Sequence, residues 1–267
     1  MAHDNNDSAK QGKEDYDREV LSFIEELATV AERISLKLSE KLENKLRKAR
    51  KKITDDDMFV CMFLRRTVTY GKSIGLLTRK GFYHEATIIA RTVLEGLFYF
   101  QYYVYNTGLA KRWRLFAIYE DCINAGNYAK DATLEGWRKA VAPKYGPVTD
   151  EAIQEFQLDD TLANRDVRWY PHKGIAELIK GINNEDARKD ARKLYINLYP
   201  PFSRIIHWTI FGMGDTHVQI NAALAVTFQG LYVMSKQANE MYHLGADEDL
   251  TDLHNRYRSK GVQNSLI

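Results

Sequence analysis

The stretch from Ala86 to Phe100 (ATIIARTVLEGLFYF) constrains the fold most, because it is almost wholly apolar and carries only two charges, Arg91 and Glu95. A helix that is apolar on every side belongs in the centre of a bundle, which predicts that both charges enter the interior. Unpaired buried charges are very costly, so these two residues, one helical turn apart, are expected to pair with each other or with a neighbour.

The N-terminal region also has a helical pattern. From Glu14 to Ile53 apolar residues recur every three or four positions, which is typical of one long amphipathic helix. Acidic residues crowd its first turns and basic residues its last, in agreement with the helix dipole. The narrow apolar seam of this helix is also suited to pairing with a second copy of the chain, so a homo-oligomer through the N-terminal helix is expected as readily as a monomer.

Together these patterns predict an all-α protein, a multi-helix bundle with a long N-terminal amphipathic helix. We expect residues 1–13 to be disordered, residues 14–53 to form the long helix, residues 54–244 to form the bundle and residues 245–267 to form a charged, peripheral tail. Helices 1, 3 and the last long helix are expected to pack around the two charges. Pro200 and Pro201 suit the first turn of a new helix, where a missing amide proton costs nothing.

Composition excludes several classes of protein. The net charge of +2 is too small for nucleic-acid binding by bulk electrostatics. The start of the chain lacks the apolar core of a signal peptide, and no window holds the roughly 18 uninterrupted apolar residues of a membrane span. The two cysteines, Cys61 and Cys122, are expected to be buried free thiols. A cytoplasmic protein without membrane contact fits these features best.

A second constellation lies far along the chain, where Tyr199, Ser203 and His207 recur every four residues and share one helix face. In a catalytic interpretation His207 exchanges protons, and Ser203 and Glu95 assist it. Arg91 then holds a phosphate or carboxylate group. Tyr199 and Arg204 bind the ligand. In a structural interpretation Arg91 and Glu95 form an ion pair that fixes helix packing, and His207 is a satisfied core residue. The sequence leaves both open.

Other sites are less well supported. The sequence has no paired-histidine metal motif and no phosphate-cradling glycine loop, so neither a metal nor a cofactor is expected. A basic run at the end of the first helix is either a solvated helix end or a contact for the nucleic-acid backbone. Its members are Lys45, Arg47, Lys48, Arg50, Lys51 and Lys52.

These motifs carry a resemblance. Ala90-Arg91-x-x-x-Glu95, then Trp169, then Tyr199-x-x-x-Ser203-x-x-x-His207 resembles the pattern of a largely bacterial family, domain of unknown function 5677. The similarity covers roughly residues 55 to 240 and implies an all-helical domain without an established activity. It also implies that the charged and hydroxyl residues form one motif set.

The chain is also similar to the HEPN group of helical ribonucleases in being a helical bundle with an Arg and a His at the chemistry. It departs from their spacing, since Arg204 and His207 are separated by two residues rather than by four to six. Two functions therefore stand. The first is a phosphodiester-cleaving or nucleotide-handling enzyme of a bacterial defence or stress system, with RNA or a nucleotide as ligand. The second is a non-catalytic helical binding or scaffold protein with a structural polar cluster.

Overall fold

The computed structural model describes residues 4–49, 52–128, 133–157, 170, 174–206 and 216–260. Throughout these ranges every regular element is a helix, which confirms the all-α bundle and its long N-terminal helix. The helices are α1 (Asp4–Ala49), α2 (Asp55–Arg79), α3 (Tyr83–Tyr105), α4 (Leu109–Tyr128), α5 (Leu134–Tyr145), α6 (Val148–Glu155), α7 (Ile175–Lys180), α8 (Glu185–Ile206), α9 (Thr216–Tyr242) and α10 (Asp247–Ser259).

Four helices, α1, α2, α3 and α9, form the main core, in which α2 and α9 contact each other and both contact α1 and α3 extensively. The α2 helix runs antiparallel to α1, since Lys45 pairs with Asp57 at one end and Glu25 with Arg79 at the other. The α3 and α9 helices approach closely, because both Gly96 and Gly230 lie in their interface. The α3 helix contacts α2, α7, α8 and α9.

The apolar seam of α1 is buried within the same chain. Ile24, Leu27, Ala31, Ile34 and Leu38 are fully buried against the core that α2, α3 and α9 complete. The seam that suited a second copy of the chain is therefore already covered. The helix begins at Asp4, within the segment expected to be disordered, and ends at Ala49.

Local signals fix where α2 begins and ends. The Thr54 hydroxyl accepts a hydrogen bond from the Asp57 amide, and the Asp57 carboxylate accepts one from the Thr54 amide, so the two residues form a capping box. Gly81 adopts a φ of 78°, a backbone conformation that favours glycine, and separates α2 from α3.

The structure corrects two expectations near the C-terminus. Pro200 and Pro201 do not begin a new helix, because α8 runs through them to Ile206. The charged segment after Gly245 is not simply peripheral, since α10 buries Leu250, Leu253 and Tyr257 against the core. Three apolar residues at helical spacing are enough to bind an otherwise charged helix to the bundle.

A second, smaller core lies between α4, α5 and α6. It includes Leu115, Ile118, Cys122 and Phe156. Both cysteines are free, as predicted, but only Cys122 is fully buried, whereas Cys61 is partly buried. Among the described residues, no helix is both long enough and apolar enough to cross a membrane.

Candidate functional site

The site lies where α3 and α8 pack against each other in antiparallel directions. Near the end of α3, Asn106 donates a hydrogen bond to the Gly181 carbonyl, which precedes α8. Near the start of α3, Arg91 reaches Tyr199 in the second half of α8. On each helix, residues four positions apart therefore lie on the face that points toward the other helix. Arg91, Glu95 and Tyr99 line α3, and Tyr195, Tyr199 and Ser203 line α8.

Three side chains form a closed triangle of hydrogen bonds. Arg91 donates from Nε to Glu95 Oε1 at 3.1 Å and from Nη2 to the Tyr199 hydroxyl at 3.1 Å. The Tyr199 hydroxyl in turn donates to Glu95 Oε1 at 3.0 Å. The predicted pairing of Arg91 with Glu95 is present, and a phenol from a second helix completes it.

Aromatic rings surround this triangle. The Arg91 guanidinium carbon lies 5.0 Å from the centroid of the Tyr199 ring, within the range of a cation–π interaction. Tyr199 stacks on Tyr195 with ring centroids 5.0 Å apart, and Tyr99 lies 5.1 Å from Tyr170. Of these rings, that of Tyr199 lies beside the guanidinium, and Tyr195 supports it by stacking.

The cluster is partly open to solvent. The side chains of Arg91 and Glu95 keep 18% and 28% of their exposure, so they are not sealed inside the bundle. The two charged side chains face α8 at the edge of the core. This position corrects the expectation that α1, α3 and the last long helix surround them. The α3 helix buries Val93, Leu94 and Leu97 against the core and turns the two charges toward its rim.

The surroundings of the cluster shift its pKa values in directions that favour hydrogen-bond donation. Burial raises the pKa of Tyr199, and the charge of Glu95 raises it further, against the opposing effect of Arg91. Burial tends to lower the pKa of Arg91, but its contacts with Tyr199 and Glu95 leave that pKa raised. Burial also raises the pKa of Tyr99, with contributions from Tyr170 and Glu95. The guanidinium and the phenols therefore keep their protons at neutral pH.

Of the residues that the sequence singled out, the structure brings together Arg91, Glu95 and Tyr199. Ser203 lies one turn further along α8 and is half-buried. Arg204 belongs to α8, but its side chain lies outside the described part of the structure, and His207 lies outside the described residues altogether. The roles assigned to all of these residues stay predictions.

The basic run at the end of α1 is partly engaged within the chain. Lys45 donates to the buried carboxylate of Asp57 at 2.5 Å, and Arg47 pairs with Glu43 at 3.4 Å. Lys52 is exposed. The side chains of Lys48, Arg50 and Lys51 lie outside the described part, and the contact of this run with a nucleic-acid backbone stays a prediction.

No metal centre is visible in the described ranges, where no three His, Cys, Asp or Glu side chains lie together as ligands. The donors at the site are a guanidinium, a carboxylate and phenols. This set suits recognition of an anion by hydrogen bonds more than coordination of a cation.

Comparison with known proteins identifies the family. The family of unknown function DUF5677 matches residues 56–222 of this chain. The chain belongs to this family. The match spans α2 through the first turns of α9 and includes Arg91, Glu95, Tyr199, Ser203 and His207. No curated protein and no solved structure matches the chain.

Sequence reasoning missed the outer members of the site, Tyr99, Tyr170 and Tyr195. The signal for two of them was present, because Tyr99 extends the four-residue spacing of Arg91 and Glu95, and Tyr195 precedes Tyr199 by the same interval. Tyr170 has no such signal. It comes from a segment without helical periodicity, and only the fold brings it to α3.

Proposed function

We propose that the Arg91 cluster binds a phosphate group and that the protein is a nucleotide-handling or phosphodiester-cleaving enzyme. The orientation of Arg91 supports this most directly. Glu95 and Tyr199 occupy Nε and Nη2, while within the described residues Nη1 has no hydrogen-bond partner. A guanidinium held by its inner edge and partly exposed is prepared to receive a planar or tetrahedral anion.

Each member of the triangle has a distinct role in this proposal. Arg91 is the phosphate ligand, and its positive charge is permanent. Tyr199 keeps its proton at neutral pH and donates it to Glu95, so it would serve as a second donor only by turning that proton from Glu95 to an incoming phosphate oxygen. Glu95 is the positioning residue, because its carboxylate bonds to both of the other two.

Cleavage also needs a group that exchanges protons near neutral pH, and the donors Arg91 and Tyr199 do not supply one. We propose His207 for this role, since the four-residue spacing from Tyr199 through Ser203 places it next on the same face if α8 continues. Ser203 would then supply a hydrogen bond, and Arg204 a further ligand contact.

A second candidate function has support from the closed triangle itself. A structural polar cluster at a helix interface also consists of side chains that satisfy one another's hydrogen bonds. Such a cluster specifies how the helices pack and carries no chemistry. The protein would then be a non-catalytic binding or scaffold protein, acting as a homo-oligomer or through a partner. Because the α1 seam is buried, its working surface would be the outer face of α1, which exposes Leu36 and Leu46.

An activity assay with matched variants separates the two candidates. Folded wild type, Arg91→Ala, His207→Ala and Arg112→Ala are incubated with mixed RNA and nucleotides. Arg112 is the matched control, because it also pairs with a carboxylate, that of Glu155, and lies 4.7 Å from an aromatic ring, that of Phe156. The enzyme proposal expects cleavage by wild type and by Arg112→Ala, and a loss of about 100-fold or more in the other two. Cleavage that survives in folded Arg91→Ala would contradict it.

We further propose a bacterial defence or stress response as the setting of such an enzyme, on the similarity to HEPN ribonucleases alone. Production of the wild-type chain in bacterial cells should slow growth, and production of Arg91→Ala should not. Equal growth at equal protein level would remove the support for that setting.

A further inference from the structure

The outer face of α2 is left open by the helices of the described part of the chain. A row of residues spaced alternately four and three positions apart runs along this face, and every member of the row is exposed. We call this row the outer seam of α2, and it consists of Met58, Met62, Arg65, Thr69, Lys72, Leu76 and Arg79. Residues with this spacing form the contact line of two helices that pack side by side, so the outer seam has the spacing of a helix–helix interface.

Apolar side chains occupy both ends of the outer seam although it faces solvent. Met58 and Met62 lie on successive turns and keep 46% and 38% of their exposure, and Leu76 keeps 59%. Water contact with these side chains is unfavourable, and methionine adapts its shape readily to a partner surface. An exposed helix face with apolar groups at helical spacing is suited to cover by a second helix.

The seam is arranged symmetrically about Thr69. Met62 precedes Thr69 by seven residues and Leu76 follows it by seven, which is two helical turns in each direction. In an antiparallel pair of α2 helices with a two-fold axis at Thr69, Met62 of each copy meets Leu76 of the other. The short side chain of Thr69 lies at the axis, where it allows the helices to approach closely. This self-complementarity is what a symmetric dimer interface requires.

The charges of the seam are compatible with the same pairing. Lys72 and Arg79 are already paired with Glu32 and Glu25 of α1. Arg65 is the remaining cation of the seam, and the described residues show no ion pair for it. The two-fold axis keeps α1 on the same edge of the interface in both copies, so Arg65 of one copy lies beside the partly exposed Glu32 of the other.

We propose that two copies of this chain form a symmetric dimer through the outer seams of their α2 helices. The interface is one antiparallel helix pair of about six turns, which is small, so the dimer exchanges with the monomer as concentration changes. An acidic peptide would also be attracted to Arg65, but it does not account for the symmetry about Thr69. The dimer is independent of the phosphate site, because no seam residue belongs to α3 or α8.

Sedimentation velocity over a series of protein concentrations tests the proposal. Wild type is compared with Met62→Lys and Leu76→Lys, in which a new charge opposes an apolar residue of the other copy. Leu36→Lys is the matched control, because Leu36 is a leucine on α1 with 60% exposure, against 59% for Leu76. Lysine is a good helix former and all three positions are exposed, so the bundle is expected to fold in each variant.

The expected result is specific to α2. The average mass of wild type rises with concentration from that of one chain toward that of two. Met62→Lys and Leu76→Lys dimerise at least about tenfold more weakly, because an unpaired charge is desolvated in the interface. Leu36→Lys dimerises as wild type does.

Disulfide formation tests the position of the two-fold axis. In a Cys61→Ser chain, which has no partly exposed native thiol, Thr69→Cys places two thiols at the axis within reach of each other. Oxidised glutathione should convert this variant to a linked dimer on a non-reducing gel. Thr92→Cys, at an exposed threonine of α3, is the control and should stay monomeric under the same conditions.

Other outcomes overturn the proposal. Wild type that stays a monomer at every concentration would do so, even if it bound an acidic helical peptide or anionic lipid vesicles through the seam. A dimer weakened as much by Leu36→Lys as by Leu76→Lys would place the interface on α1. Equal linking of Thr69→Cys and Thr92→Cys would mean random collision. None of these results bears on anion binding at Arg91, which is tested separately.

Discussion

Tyr199 joins the two helices of the site through a single oxygen atom. Its hydroxyl accepts from Arg91 and donates to Glu95, while its ring lies beside the guanidinium and stacks on Tyr195. Removing the oxygen leaves the ring contacts in place and opens the triangle. The residue therefore allows the hydrogen bonds to be tested separately from the packing.

Tyr199→Phe should lower the free energy of unfolding by about 1.5 kcal/mol, because hydrogen bonds to charged, partly buried groups contribute on that order. Chemical denaturation monitored by circular dichroism measures the decrease. Tyr145→Phe is the control, since the Tyr145 hydroxyl donates to Asp121, which is more exposed, and the decrease there should be less than half as large. Equal decreases in the two variants would show that the hydrogen bonds of the triangle contribute no more to stability than a hydrogen bond at the protein surface.

At the scale of elements, the approach of α3 to α9 depends on glycine. A Cβ atom built on Gly230 would lie 2.5 Å from Cγ1 of Val93, a side chain with little freedom to move. A Cβ atom on Gly96, in the same interface, would lie 3.6 Å from the flexible end of Met234, which is ordinary contact. Substitution of these two glycines by alanine should therefore have opposite effects on the stability of the protein.

Gly230→Ala should lower the free energy of unfolding by about 1–3 kcal/mol, because overpacking outweighs the better helix propensity of alanine. Gly96→Ala should leave stability unchanged or raise it by up to about 1 kcal/mol. Urea denaturation of both variants beside wild type measures the contrast. A stabilised Gly230→Ala variant would mean that the two helices separate readily, and that their close approach is not required.

The elements were predictable from the sequence wherever local chemistry determines them. Helix α3 contains the apolar stretch from Ala86 to Phe100 that predicted it, and the capping box at Thr54 and the break at Gly81 fix α2. The prolines of α8 misled the prediction, because they suit a helix start in isolation but are tolerated here inside a helix that the core holds in place. Likewise, periodicity singled out Arg91, Glu95 and Tyr199, which the structure brings together, but it could not tell which helices meet.

At the scale of the whole molecule, helices outside the family match complete the fold. The match covers residues 56–222, yet α1 contributes a row of fully buried residues, and α10 ties back to α1 through Arg256 and Glu26 at 2.6 Å. Deleting the first helix would therefore expose the core as well as remove a partner surface. For the scaffold alternative, a substitution such as Leu36→Glu on the exposed face is the cleaner test.

The attachment of α10 should make stability depend on pH. His254 stacks on Tyr232 at 4.3 Å, and burial, with the charges of Arg258 and Lys236, lowers its pKa below the usual 6.5. The unfolded chain then binds the proton first as pH falls. The contribution of neutral His254 to stability is thus complete above about pH 6.5 and is lost as pH falls below that value toward the folded pKa.

His254→Gln removes this titration while keeping a polar side chain. The difference in free energy of unfolding between wild type and His254→Gln should shrink as pH is lowered from about 7.5 to about 5.5, since all other groups titrate in both proteins. Thermal or chemical unfolding at the two pH values measures it. A difference that stays constant, or grows at the lower pH, would contradict the pKa direction assigned to His254.

Calorimetric titration with pyrophosphate tests the proposed phosphate site at Arg91 most directly. Wild type and Arg112→Ala should bind with equal affinity. Arg91→Lys, which keeps the charge but loses the fork that Glu95 and Tyr199 orient, should bind at least about tenfold more weakly, a difference of about 1.4 kcal/mol. Equal affinity in wild type and folded Arg91→Lys, or no binding by wild type, would contradict a phosphate site and leave the triangle a structural joint between α3 and α8.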